Sequence, residues 1–365
     1  MNPSTADLTI QAGPRAFALL REHGLRAQDV AVVAGAAGGP KGLILQALDQ
    51  WLFGDWLAAS PRQRTLIGAS IGAWRMAASC APDPAAAFRR LGDLYCAQHY
   101  SERPMPTEVS AVCRQILDDL IGDHANAMVT HADHRLQILI ARGQRGLAQP
   151  SGRLGTLASF AAATLANLRG RDGLAAHFER IVVGDPRAVP SWLEQPFDHF
   201  ATHFAPLGAD NLRDALLASG TLPLIMKPLT HIAHVSPGQF WDGGLIDYHL
   251  ALPYARLREG LVLYPHFTDH LVPGWLDKAL HWRRAHRTAQ RHWLDNVVLL
   301  SPSRAFLQRL PRKQLPDRSD FAHYGRAHAT RIANWRRAIG EGQRLRDALA
   351  RFTSQPDLAQ VRPLY

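Results

Sequence analysis

The pentapeptide Gly68-Ala69-Ser70-Ile71-Gly72 stands between the apolar run Arg64 to Gly68, "RTLIG", and a small-residue helical pattern that starts at Ser70. With a strand before it and a helix after it, Ser70 occupies a tight strand-to-helix turn, and Gly68 and Gly72 relieve crowding around a strained backbone. The helix N-terminus beneath it favours negative charge on the serine oxygen and on a reacting carbonyl oxygen. A serine hydroxyl needs a base before it can act as a nucleophile. Asp242, in "FWDGG", is the first candidate, because Gly243 and Gly244 keep the backbone tight and leave the carboxylate accessible. Taken alone, Asp-Gly-Gly also reads as a turn in which the aspartate makes local hydrogen bonds. The chain holds 18 histidines, and His266, just past "LVLYP", would complete the order Ser70, Asp242, His266 of an α/β-hydrolase triad.

A second glycine-rich segment, "AGAAGGPKGL" (residues 34–43), follows the apolar run "VAVV". It departs from a phosphate-binding P-loop, since Pro40 takes the place of the second glycine and Gly42 that of the magnesium-holding Ser/Thr. Proline also removes one N–H from the cradle. An oxyanion hole needs only one or two backbone donors, and Gly38 and Gly39 supply them ahead of the proline. The trio His124, His131 and His134 looks metal-like, but it mixes loop and strand-edge positions and lacks an H-E-x-x-H spacing, so no metal and no cofactor is expected.

Together these blocks resemble the patatin-like phospholipases, serine acyl hydrolases that use a Ser-Asp dyad. The family's D-G-G-G-x-[RK]-G loop is matched by Ala36-Ala37-Gly38-Gly39-Pro40-Lys41-Gly42, its G-x-S-x-G by Gly68 to Gly72, and its D-G-[GA] by Asp242-Gly243-Gly244. A fourth block, "ASGTLPLIMKPL" (Ala218 to Leu229), is similar to the family's A-S-x-A-x-P-x-x-F-P-P segment, with Pro223 and Pro228 in step. The resemblance implies that Ser70 attacks an ester carbonyl, Asp242 accepts its proton directly, and the Gly38 and Gly39 N–H groups hold the oxyanion. Lys41, where the family has Arg or Lys, would fix the loop together with Gly42. The pattern is not fully kept. Ala36 and Ala37 stand for Asp and Gly, and Met226-Lys227 for Phe-Pro, changes that spare the catalytic groups. Leu245 to His249 stands where relatives often carry Asn and then Pro, which bears on how the aspartate loop is held and brings His249 near the site as a second candidate base.

The elements that must position these residues are legible as alternating strands and helices. "DVAVVAG" (Asp29 to Gly35), "RTLIG", "RLQILIA" (Arg135 to Ala141), "RIVVG" (Arg180 to Gly184), "GLVLYP" and "NVVLLSP" read as buried strands. Ile44, Ala47, Leu48 and Trp51 share one face of a helix over Leu43 to Leu57. Such alternation predicts an α/β fold with a largely parallel sheet, whose active site lies at the carboxyl ends of the strands. With the resemblance, the expectation is a three-layer α/β/α catalytic domain over residues 1–270. A basic, mostly helical extension over 271–365 would pack on it. Pro/Gly-rich joints fall at Arg145 to Gly155 and around Pro311 to Pro316.

Composition narrows the partners. With 47% apolar and 20% charged residues, the 365-residue chain is neither disordered nor fibrous and can bury a sizeable core. The longest uncharged run, Leu154 to Leu168, is too short and too polar to span a bilayer of about 30 Å. The first thirty residues lack a continuous apolar stretch and carry Asp7, Glu22 and Asp29, so no signal peptide is expected. Cys80, Cys96 and Cys113 are scattered, as suits a reducing compartment and a cytoplasmic protein. Residues 271–365 hold 18 Lys/Arg against 7 Asp/Glu, so the net charge of +10 resides wholly in the tail. There, Trp275, Trp282, Trp293 and Trp335 lie among arginines, a composition suited to peripheral contact with anionic lipid. Nucleic acid attracts the same charge, but the chain carries no nucleic-acid motif.

Overall fold

The computed structural model describes residues 7–149 and 152–365. It is an α/β structure around one ten-stranded, mixed and mostly parallel sheet. The strands are β1 (Leu8–Ala12), β2 (Val30–Gly35), β3 (Arg64–Ala69), β4 (His134–Gly143), β5 (Phe178–Gly184), β6 (Thr202–Pro206), β7 (Phe240–Asp242), β8 (Leu261–Pro265), β9 (Val297–Pro302) and β10 (Val361–Pro363). Their order is β10-β1-β9-β8-β2-β3-β4-β5-β6, with β7 against β4. The five central strands, β9-β8-β2-β3-β4, run parallel. β1 and β5 are antiparallel to their inner neighbours, so both edges reverse direction.

The six apolar runs read from the sequence are the six strands with the most continuous burial. All five residues of Leu261–Pro265 and all six of Val297–Pro302 are buried, as expected of parallel strands covered on both faces. The boundary expected at residue 270 does not divide the sheet. β9 lies between β1 and β8, so residues beyond 270 supply a buried strand as well as helices. The helical part of the tail, chiefly His328–Glu341 and Gln343–Ser354, packs back on the core through Trp335, Leu345, Leu349 and Phe352. Of the four tail tryptophans, Trp335 is buried, with its Nε1 donating to Asp320 Oδ2 at 2.8 Å, whereas Trp282 is exposed. The single helix expected over Leu43 to Leu57 is instead a succession of tight, regular and wide turns over Gly39–Leu45, Gln46–Trp51 and Leu52–Trp56.

Within the joint at Arg145 to Gly155, Pro150 and Ser151 lie outside the described residues. Helix Gly152–Arg169 follows it and exposes Leu154, Leu157, Leu165 and Leu168. No helix among the described residues is long and apolar enough to cross a membrane.

Candidate active site

Gly35 and Gly68 are register partners at the ends of parallel strands β2 and β3, so the two glycine-rich loops leave the sheet side by side. Their backbones touch almost without a gap. A Cβ on Gly72 would fall 1.9 Å from Gly35 O, and one on Gly68 would fall 2.5 Å from Ala73 N. The two glycines of G-x-S-x-G are thus set by close backbone approach. Ser70 itself holds φ 55° and ψ −133°, a strained conformation for a residue with a side chain. The strain is held from both sides. Ser70 N–H donates to Ser219 Oγ at 2.8 Å, and Ser70 C=O accepts from Ala73 N–H at 2.9 Å, opening helix Ile71–Ala78.

β4 places the aspartate. β3 pairs along β4 as far as Ala69 opposite Leu139, and β7 then takes up the pairing with Asp242 opposite Ile140. Consecutive residues of β4 therefore bring the residue after Ala69 beside Asp242. Ser70 Oγ donates to Asp242 Oδ2 at 2.7 Å, and Gly244 N–H donates to Asp242 Oδ1 at 2.7 Å. Both side chains are buried. Burial raises the Asp242 pKa above the ordinary carboxylate value, and the nearby Arg318 charge, the Ser70 hydroxyl, the Gly244 N–H and Lys278 oppose that rise. The carboxylate is therefore a stronger base than an exposed one, and it already accepts the proton it would remove.

Neither candidate histidine makes a hydrogen bond to Ser70 or Asp242. His266 is fully buried, and its Nδ1 accepts from Thr268 N–H at 2.9 Å. His249 Nδ1 accepts from Val272 N–H at 3.1 Å, and the two imidazoles meet edge to face at 4.3 Å. Burial lowers the pKa of both, that of His266 to about 3, so both rings are neutral at physiological pH. Of the trio His124, His131 and His134, His124 is exposed, and the other two are held by packing and local hydrogen bonds. His131 and His134 stack at 4.1 Å, and His131 Nδ1 accepts the N–H groups of Asp133 and His134. Among the described residues no three His, Cys, Asp or Glu side chains are grouped as metal ligands.

The first glycine-rich loop lies against the dyad. Gly38 lines the same cavity as Ser70 and Asp242. A Cβ on Gly38 would sit 2.4 Å from Phe267 Cζ. Gly39 has φ +58°, and a Cβ there would come within 3.0 Å of Arg318 Nε. Ala37 N–H is taken by Tyr248 C=O at 2.9 Å, whereas no protein acceptor meets the N–H of Gly38 or Gly39 among the described residues. Lys41 pairs with Asp317 at 3.1 Å and lines the cavity as well as bracing the loop. Gly42 is buried beneath it, and a Cβ added there would lie 3.5 Å from Arg75 Cδ and 3.7 Å from Ile71. Arg75 in turn makes two hydrogen bonds to Asp49, at 2.7 and 2.8 Å, which lock the helix after Ser70 to the helix after the loop.

Four residues at the site are not singled out from the sequence. Ser219 accepts from Ser70 N–H and donates to Leu139 C=O at 2.7 Å, so it fixes the turn to β4. Asp247, in the stretch that departs from the family, is held by Arg180 of β5 through bonds of 2.6 and 3.0 Å, and that pair secures the aspartate loop. Lys278 and Arg318 come from the tail. The one hint was the A-S-x-A-x-P resemblance around Ser219; the other three meet the site only through the fold.

Two cavities open on Ser70. One, of about 230 Å³, is lined mainly by apolar side chains, among them Ile71, Trp74, Val109, Leu222 and Met226. The other, of about 210 Å³, is polar and contains Asp242, Lys41, Lys278 and Asp317. Ser70, Leu222 and Arg318 line both. No protein-family model matches the chain, and a search of curated proteins finds no significant match.

Proposed function

We propose that the protein is a serine acyl hydrolase of the patatin-like type, with a three-layer α/β/α arrangement, acting on acyl esters of lipids without metal or nucleotide. The observation that carries this reading is the direct 2.7 Å hydrogen bond from Ser70 Oγ to Asp242, with no histidine between them. As Oγ bonds to the ester carbonyl carbon, its proton passes to Asp242, and the Gly38 and Gly39 N–H groups stabilise the oxyanion. The ester C–O bond then breaks, the leaving alkoxide takes the proton from Asp242, and the acyl group stays on Ser70. Water repeats the sequence with the same base, releasing the carboxylic acid and restoring the hydroxyl. The apolar cavity beside Ser70 suits an acyl chain.

The reading predicts that a fluorophosphonate probe labels the wild-type protein and that Ser70→Ala abolishes both labelling and turnover of para-nitrophenyl esters. Undiminished labelling of Ser70→Ala, or a wild type inert to probe and ester alike, contradicts it. The second outcome favours a lipid- or partner-binding protein of the same fold.

The pH profile offers a separate test. Asp242 works only when ionised, so kcat/KM for a neutral ester falls on the acid side as pH drops through its raised pKa. Arg318 is the leading charge holding that pKa down. Arg318→Met is therefore expected to move the acid limb to higher pH. An unchanged limb, or one moved to lower pH, shows that another group sets it.

For a lipid substrate, the basic tail and the exposed Trp282 and Leu154, Leu157, Leu165 and Leu168 suit peripheral contact with anionic membrane at a cytoplasmic site of action. Arg283 of the tail donates to Leu168 C=O at 3.2 Å, so the two surfaces adjoin.

A further inference from the structure

The polar cavity beside the dyad contains more positive charge than the catalytic step uses. Lys41, Lys278 and Arg318 face it, against Asp242 and Asp317. Asp242 is engaged by Ser70 and Gly244, and Asp317 by Lys41. Among the described residues, neither the Lys278 ammonium nor the Arg318 guanidinium makes an ion pair or a hydrogen bond within the protein, although both backbones do. Lys278 is an exposed residue at the rim of the cavity, and its Nζ lies 4.2 Å from the centre of the Tyr248 ring and 5.4 Å from that of Trp275, both cavity-lining side chains. Two cationic side chains without an anionic partner, one of them resting on aromatic faces, leave the cavity with positive charge that an anion can meet.

We propose that this cavity is an anion subsite for the alcohol side of the substrate, so that the enzyme prefers acyl esters whose leaving group bears a compact phosphate or carboxylate near the scissile bond. The proposal rests on the reading of Ser70 and Asp242 as an acyl-transfer dyad. Its position follows from the two-cavity layout. Ser70 lies where the cavities meet, so an acyl chain on the apolar side directs the leaving oxygen to the polar side. There Arg318 offers a planar fork suited to a phosphate or carboxylate, and Lys278 a point charge. Asp242 remains free to return its proton to the alkoxide, because the leaving group's own anion is met by the cations and not by the base.

The state of Lys278 gives the subsite a pH signature. Loss of solvent around the ammonium at the cavity rim, with Lys41 and Arg318 nearby, lowers its pKa to about 7, and Asp317 and Asp242 only partly compensate. Lys278 is charged below that value, so it supports anion binding up to about pH 7, while a phosphate monoester keeps its second charge only above about pH 6. Binding weakens as pH rises through and above about 7 and the ammonium deprotonates. A bound anion favours the charged form, so binding near neutrality takes up a proton.

The test has two independent arms. In the first, lysophosphatidate is compared with the monoacylglycerol of the same chain. The expected kcat/KM advantage of the anionic ester is about 10- to 100-fold, carried by KM, as for one or two charge-assisted hydrogen bonds. Lys278→Met and Arg318→Met should each collapse that ratio, with each variant's own rate on the neutral ester as its reference. An acyl ester of a hydroxy acid, run in parallel, tells a carboxylate site from a phosphate site. In the second arm, glycerophosphate is titrated calorimetrically into Ser70→Ala protein, with glycerol as control. Saturable binding that weakens as pH rises above 7 and is lost in Lys278→Met supports the subsite, whether or not the wild type turns over any ester. Ester hydrolysis without anionic preference and without glycerophosphate binding overturns the subsite while the acyl-hydrolase reading stands. Binding without any hydrolysis overturns that reading instead.

Discussion

Exchange of Asp242 for Asn is expected to lower kcat/KM for ester hydrolysis by about 10²- to 10⁴-fold, the range of a positioned general base. The local hydrogen bonds make this substitution more damaging than its similar size suggests. Gly244 N–H points at Oδ1, so an amide there must turn its carbonyl oxygen toward Gly244. Its NH₂ then faces Ser70 Oγ, where the carboxylate now accepts a proton at 2.7 Å, and donates instead of accepting. The serine loses its base and its hydroxyl is turned the wrong way. His249→Ala and His266→Ala provide the contrast. Both rings are buried and neutral, and neither bonds to the dyad. Their removal is expected to lower stability while kcat stays within about tenfold of wild type, far short of losing a triad base. The opposite pattern, a mild Asp242→Asn and a drop of about 10³-fold in one histidine variant, would replace the dyad with a triad.

Gly72→Ala is expected to destabilise the protein by about 3 kcal/mol or more, among the largest effects of adding a single methyl group anywhere in the chain. The added Cβ would lie 1.9 Å from Gly35 O and 2.2 Å from Gly35 C, both backbone atoms that no rotamer change can move aside. Gly35 ends β2 in register with Gly68 at the end of β3, so relief would require the two loops to part at the catalytic centre. A urea titration should show a lower midpoint at unchanged slope, with ester turnover falling as well. Stability within about 1 kcal/mol of wild type would mean that the two loops leave room for a methyl group between Gly72 and Gly35.

These two substitutions also mark what the sequence made legible. β2, β3, β8 and β9 announced themselves because strands buried on both faces need continuous apolar residues. Ser70, Asp242, Gly38 and Gly39 could be singled out because their roles demand particular residue types at short spacing. β7 could not, since three residues form a strand only where β3 leaves the edge of β4 unpaired. β1, β6 and β10 are likewise short edge-region strands whose pairing is decided by their neighbours. The residues that hold the site escaped for a related reason. Ser219 meets Ser70 across 149 positions of chain, and Arg180 meets Asp247 across 67. Nothing in a local pattern distinguishes them from other serines and arginines. The tail, read as a basic, mostly helical extension packed on the core, also delivers β9 to the sheet and Lys278 and Arg318 to the cavity. Charge counts report how much there is, not which groups turn inward.

The central claim is that Ser70 carries the acyl group between two half-reactions. Rapid mixing with a para-nitrophenyl ester, followed by acid quench and peptide mass spectrometry, tests it most directly. The account predicts an acyl adduct on the peptide containing Ser70, formed as fast as para-nitrophenolate is first released, and absent in Ser70→Ala. Ester turnover with no adduct at Ser70, or with the acyl group on another residue, would contradict it.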